Sequence, residues 1–240
     1  MNVAPIADTN GYFYEEMLIS NGSDIISKSS SSLTSATFTA GNAKGKEAMN
    51  FYLSLNSKGY IKTNSSGEVD KTDFIQGKTA FVVDYVNRSY AVDGGYASMR
   101  DDYAFIRTPR GSGISKNVVG NNWFFGLTVP KGVKNLEVIA DIIAAYCEPM
   151  LNSIERTQVL TAQLSRAARD KNSQTTLKNL SSYSVSSPIY YFGSSILIGD
   201  DGWLSKYLPL IKSGQMTADS AYSAVNKMYS NTIQDILNKK

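Results

Sequence analysis

The clearest periodic signals along the chain are helical. Ala43 to Lys58 sets Ala48, Phe51, Tyr52 and Leu55 on one side, and Gly59 follows as the residue best suited to the left-handed position that ends a helix. Leu136, Ile139, Ala140, Ile143, Ala144 and Cys147 keep the 3.6-residue period without a miss, with Asn135 placed to cap the start and Pro149 to stop the run. Leu151 to Arg169 continues with a helical pattern. A last helix starts from Thr217 as N-cap and carries Ala221, Val225, Met228, Ile233 and Ile236 on one face. It ends in Lys239-Lys240, whose charges favour a helix C-terminus. A shorter helix is predicted over Tyr12 to Ser20, with aromatic residues in its first turn and Asn21-Gly22 at its end.

Strand signals are briefer. Thr79 to Asp84, entered through Asp73 to Lys78, is a β-branched and aromatic run that predicts a buried strand. Tyr103 to Thr108 predicts a second, closed by Pro109 and the turn Gly111-Ser112-Gly113, and Trp123 to Val129 a third, closed by Pro130-Lys131-Gly132. Lys28 to Thr39 is rich in Ser and Thr and reads as a loop with a short strand near Ala36 to Phe38, without a domain boundary. Asp170 to Ser187 is polar and mixed, loops with a short helix. Strands separated by helices predict α/β layering. No internal repeat is present.

Composition narrows the chemistry. A length of 240 residues suits one large domain or two small lobes. The 24 Lys and Arg against 21 Asp and Glu are spread out, so no basic stripe points to nucleic acid. The chain has no histidine and one cysteine, Cys147, which removes Ser-His-Asp triads, Cys-His dyads, an internal disulfide and most metal sites, so neither metal nor cofactor is expected. Cys147 lies on an apolar stripe and reads as a small buried hydrophobe. The 15 Tyr, 9 Phe and 2 Trp offer flat apolar faces, many with a hydroxyl, and suit binding. Asp141 breaks the best apolar run, Val138 to Cys147, well short of the roughly 20 residues of a membrane span. Met1 to Asp8 has neither the positive nor the apolar region of a secretion signal. Glu15-Glu16 and Asp101-Asp102 are adjacent pairs whose side chains diverge, a poor basis for a paired-carboxylate site. Gly111-Ser112-Gly113 lacks the lysine and threonine spacing of a phosphate loop and reads as a turn.

The order of segments carries a further signal. An aromatic helix ending Ile19-Ser20-Asn21-Gly22 precedes Gly45-Lys46-Glu47-Ala48-Met49-Asn50-Phe51-Tyr52, which runs on to Lys58-Gly59-Tyr60-Ile61. Then come Phe74-Ile75-Gln76-Gly77-Lys78-Thr79-Ala80-Phe81, Ala104 to Gly111, Phe125 to Glu137, and Gly214-Gln215-Met216-Thr217-Ala218 at the start of the last helix. In order and spacing these stretches resemble the extracellular solute-binding proteins of ABC importers, in the branch that binds sugars and oligosaccharides.

The resemblance implies a type II periplasmic-binding-protein-like α/β fold, with the second lobe largely complete and the first only partly present, the export signal and opening portion of the family lying upstream. Residues 1–121 would form the main part of the second lobe, 126–175 a helical segment of the first, and 180–240 the return to the second with the C-terminal helix. The implied function is non-enzymatic: a sugar held between two lobes, outside the cell or at its surface, and delivered to a membrane permease. Sugar sites use flat rings against the C–H face of the pyranose and polar groups for its hydroxyls. On that basis the resemblance makes Tyr12 and Tyr14 stacking candidates and puts Asp84, Tyr85 and Arg88 after the strand. It sets Asn121, Asn122 and Trp123 where the chain crosses between lobes, and adds Tyr190, beside Tyr191. Against these stand readings of Tyr12, Phe13, Tyr14 and Trp123 as packing residues. Two other functions remain open. One is a carboxylate-based glycoside-acting enzyme, which needs two carboxyls facing one cleft. The other is a truncated remnant without tight binding, in which Leu136, Ile139 and Ile143 form an exposed patch or a self-association surface.

Overall fold

The structure, a computed structural model, describes residues 6–9, 11–28, 35–64, 67–84, 86, 95–121, 129–188, 192 and 194–238. From β1 (Ile6–Thr9) the chain passes through α1 (Tyr12–Ser20), the antiparallel pair β2 (Ile26–Lys28) and β3 (Ala36–Phe38), and α2 (Ala43–Ser57) to β4 (Ile61–Asn64). It then runs through α3 (Gly67–Ile75) to β5 (Phe81–Val82). The three strands β4, β1 and β5 form a parallel sheet with β1 in the middle, Ile6 standing opposite both Ile61 and Phe81. The chain is thus a mixed α/β protein with small parallel sheets.

Local chemistry explains the helices of this half. Asn42 caps α2 by accepting from Gly45 N at 2.7 Å, and Gly59 ends it at a φ of 70°. The buried face of α2 is Gly45, Ala48, Met49 and Tyr52, whereas Phe51 is 55% exposed. Helix α1 is enclosed almost all round: Tyr14, Glu15, Glu16, Leu18, Ile19 and Ser20 are buried, because α2, β1 and the later strand β6 (Val119–Asn121) all pack on it.

After β6 come four helices, α4 (Leu136–Leu151), α5 (Ser153–Ala167), α6 (Lys171–Lys178) and α7 (Leu180–Tyr183), and then β7 (Ser184–Ser186). β7 pairs in parallel with β6, Gly120 opposite Val185, so this helical excursion starts and finishes on neighbouring strands. A helical turn Ser194–Leu197, a π-helical turn Trp203–Tyr207 running into Leu208–Lys212, and a last helix Ala218–Asn238 complete the chain. Thr217 caps that helix through Ser220 N at 3.1 Å.

The main core joins α1, α2, β2, β3, the π-helical turn and the last helix. Its centre is Trp203, stacked on Tyr222 (5.1 Å, 12°) and met edge-on by Phe38 at 5.5 Å. A smaller cluster gathers Leu164, Ala167, Ala168 and Leu177, with Val86 and Phe105 packed against it.

Several expectations need correction. Tyr103–Thr108 is no strand: Tyr103 and Phe105 turn inward and Ala104 and Ile106 outward, but the segment bonds to helices, Phe105 N donating to Ser173 Oγ at 2.8 Å and the Tyr103 hydroxyl to Ala167 O at 2.6 Å. β5 is two residues long, and Phe81 is exposed rather than buried. Pro149 lies within α4, which runs on to Leu151. Asn135 makes no side-chain cap, whereas Asn152 caps α5 through Ile154 N and Glu155 N at 2.9 and 3.2 Å. Along α4 the expected stripe is split, with Leu136 exposed and Ile139, Ile143 and Cys147 half-buried, while Val138, Ile142 and Tyr146 on another side of the helix are exposed. Residues 123–128 of the third expected strand, and Lys239-Lys240, lie outside the described residues. Among the described residues no helix is long and apolar enough to cross a membrane.

Candidate functional site

The strand order fixes where a ligand would be met. From β1 the chain goes to one side, to β4, and then crosses to the other side, to β5; the connections therefore diverge between β1 and β5, and open parallel sheets present a crevice beyond the carboxyl ends of such strands. The described residues at that edge are Gly11 and Tyr12 after β1, and Val83 and Asp84 after β5.

Asp8, near the end of β1, organises one wall. It is buried and accepts from Phe13 N at 2.9 Å, serving as a cap for α1 from outside the helix, and from the Tyr52 hydroxyl at 2.5 Å. Burial pushes its carboxyl up, against the pull of both hydrogen bonds and of the Lys212 charge. The Tyr52 phenol is raised by burial and by Asp8, and burial lowers the Lys212 ammonium, which stands 5.5 Å from the Tyr52 ring. Gly11 joins β1 to α1 at a φ of 81°, and a Cβ there would lie 2.7 Å from Leu208 Cδ2. Glycine is therefore required twice over, by conformation and by space, and Tyr12 follows it half-buried at the helix start.

Asp84 forms the other wall. It is half-buried and accepts from the Tyr96 hydroxyl. Phe74 of α3 meets the Tyr96 ring edge-on at 5.5 Å, and the row continues to Tyr103 at 6.4 Å and Phe105 at 5.8 Å. The Arg169 guanidinium lies 5.3 Å from the Tyr103 ring. An aromatic row thus runs from the sheet edge toward α6, with Asp84 held at its near end.

Of the residues expected at the site, the structure brings Tyr12 and Asp84 to the two sides of the switch point. Tyr14 is a correction. It has no exposed surface and meets Tyr52 edge-on at 5.5 Å, because the side of α1 that carries it faces the main core. Its ring is a packing element here. Asn121 is the last residue of β6. Tyr85, Arg88, Asn122, Trp123, Tyr190 and Tyr191 lie outside the described residues.

Two further carboxylates were missed by sequence reasoning. Both oxygens of Glu16 accept from Gly120 N, at 3.0 and 3.2 Å, and Thr108 Oγ1 lies 3.5 Å from Oε2. Burial pushes its carboxyl up to about 7. Asp24 accepts from Ser187 Oγ at 2.8 Å and Ile25 N at 2.7 Å, and burial raises it to about 6. For Glu16 the available signal was the adjacent acids Glu15-Glu16 inside the otherwise aromatic and apolar run Tyr12 to Ile19, and Asp24 carried none.

A separate small cavity lies beside Arg107, Thr108, Asn117, Thr176 and Tyr183. At about 50 Å³ it falls far below the roughly 300–1,000 Å³ of small-molecule sites. Among the described residues no group of three or more His, Cys, Asp or Glu is placed to hold a metal ion. The sheet edge carries half-buried Tyr12 after β1 and, after β5, Asp84, a carboxylate that accepts from the Tyr96 hydroxyl. No protein-family model matches the chain, and no curated protein matches it significantly.

Proposed function

We propose that the chain is a non-enzymatic solute-binding component of an ABC importer that holds a sugar or oligosaccharide at the carboxyl edge of its parallel sheet and passes it to a membrane permease. The observation that supports this reading is the strand order β4-β1-β5, by which Tyr12, just after β1, and Asp84, just after β5, follow the carboxyl ends of the two strands that flank the switch point. In this reading the fold is a type II periplasmic-binding-protein-like one. Residues 1–121 and 180–240 make one lobe, 126–175 belong to the other, and the protein works outside the cell or at its surface. Tyr85, Arg88, Asn122, Trp123 and Tyr190 add contacts to the same ligand.

Binding rather than hydrolysis is favoured by the engagement of the acids. A glycoside-cleaving site needs two carboxyls about 5–9.5 Å apart facing one cleft, whereas Asp8 at the sheet edge is engaged by Phe13 N and Tyr52, Asp84 by Tyr96, and Glu16 and Asp24 are turned to Gly120 and Ser187. A thermal-shift screen over mono- and oligosaccharides tests the proposal. A saturable rise in Tm with a sugar, and recovery of that sugar intact by chromatography, is the expected result. Cleaved product would replace the proposal with the glycoside-acting one, and a flat screen would leave no carbohydrate ligand.

A further inference from the structure

Two carboxylates, Glu16 buried and Asp24 half-buried, fasten the strand pair at which the helical excursion leaves and returns. Glu16 of α1 holds β6 through Gly120 N, and Asp24, a few residues past the same helix, holds Ser187 immediately after β7. The charged group acting on Glu16 is Asp24, a like charge. Cations on the elements packed around it are engaged elsewhere. Arg107 stands 5.1 Å from the Tyr183 ring, and Arg110 donates to Ser115 O at 2.8 Å. Lys44 of α2 donates to Glu47 and to Ser112 O, each at 2.9 Å. On β1, Asp8 is engaged by Phe13 N and Tyr52, and neither β6 nor β7 carries a titratable residue. A carboxylate in such a place carries the cost of desolvation with no opposite charge among the described residues to offset it. The hydrogen bonds that Gly120 N and, at 3.5 Å, Thr108 Oγ1 donate to Glu16 favour the charged form, and burial outweighs them in favour of the proton.

We propose that the junction between α1 and the β6–β7 pair is a proton-linked clasp, which stays shut while Glu16 keeps its proton and parts more readily once that carboxylate ionises. Parting lets water reach Glu16 and Asp24 and frees the strands that bracket α4 to α7. The inference stands on the junction alone and is independent of what the sheet edge binds. The group goes from about 7 when enclosed toward its ordinary 4.5 when solvated, so opening releases a proton between those values.

Hydrogen exchange of the full chain between pH 5 and 8, corrected for intrinsic rates, measures this. Between pH 6 and 7, where Glu16 titrates above the range of Asp24, the amides of 117–121 and 184–187 are expected to open up to about tenfold more per pH unit and to level off above 7, while amides of α2 and the last helix, which exchange through global unfolding, keep a clearly higher protection at every pH. Glu16→Gln, which retains an acceptor for Gly120 N, should abolish the slope above pH 6, and Asp24→Asn should shift its midpoint to lower pH by removing the like charge. Protection of the wild-type strands that does not vary with pH overturns the clasp. So does protection of these strands equal to that of the core amides, which would mean global unfolding, or a slope above pH 6 that survives in Glu16→Gln.

Discussion

Glycine and glutamate positions show at the residue scale how context reverses the ordinary rule. Gly45 sits in the first turn of α2, where replacement by alanine would normally gain up to about 1 kcal/mol of helix propensity. Here a Cβ would stand 2.0 Å from the carbonyl oxygen of Ala40. Gly45→Ala is therefore expected to destabilise by about 2 kcal/mol or more, read from urea denaturation midpoints; a stabilised variant would show the close approach to be absent. Glu16 gives a signed pH effect. Its carboxyl stays protonated up to about 7 in the folded protein but ionises at its ordinary 4.5 once unfolded, so folding holds an extra proton between these values. The stabilisation from this group is complete below pH 4.5 and is lost as pH rises to 7, by on the order of 3 kcal/mol. Asp24 acts with the same sign between 3.8 and about 6. Equilibrium unfolding from pH 5 to 7 should lose stability in the wild type and lose clearly less in Glu16→Gln. Equal slopes would contradict the burial argument. Neither effect was legible in the sequence, because a buried acid and a close backbone approach leave no periodicity.

The balance is different for elements. Long, strongly periodic segments were legible: α1, α2, α5 and the last helix lie where their patterns predict, and β3 falls on Ala36–Phe38. Short strands were not. β1 contains Asp8, whose carboxylate serves α1 rather than the sheet, so it lacks the apolar run of a central strand. β4 carries Lys62, paired with Asp73 of α3. Tyr103–Thr108 shows the opposite error. Its alternation is real, but alternation reports one buried face and not a partner strand, and here the partners are α5 and α6. Cap chemistry sharpens the contrast at α4. Asn152 accepts two amides of α5 and Asn135 accepts none through its side chain. Asn152→Ala should thus cost about 1 kcal/mol while Asn135→Ala stays within about 0.5 kcal/mol, both from thermal or chemical denaturation. A reversed order would restore the cap first expected at Asn135.

At the scale of the whole molecule, the order β4-β1-β5 converts a list of residues into a location. Tyr12 and Asp84 are distant in sequence and come to the same end of the sheet because the chain crosses from β4 past β1 to reach β5. The sequence resemblance named both residues; it did not separate Tyr12 from Tyr14, since helical periodicity alone cannot tell which side of α1 the core will claim. The exposed stripe of α4 is the other feature of this scale. Val138, Ile142 and Tyr146, spaced four residues apart, are exposed along one side of the helix and make a patch of the kind that marks contact surfaces.

The central claim is tested most directly by calorimetric titration of the sugar selected in the screen into three proteins, the wild type, Tyr12→Ala and Asp84→Asn. The account predicts saturable binding by the wild type, weakened at least about tenfold by each substitution, a loss of about 1.4 kcal/mol, with unfolding midpoints of the unliganded proteins little changed. Equal affinity in all three would place any ligand away from the edge between β1 and β5 and contradict the account.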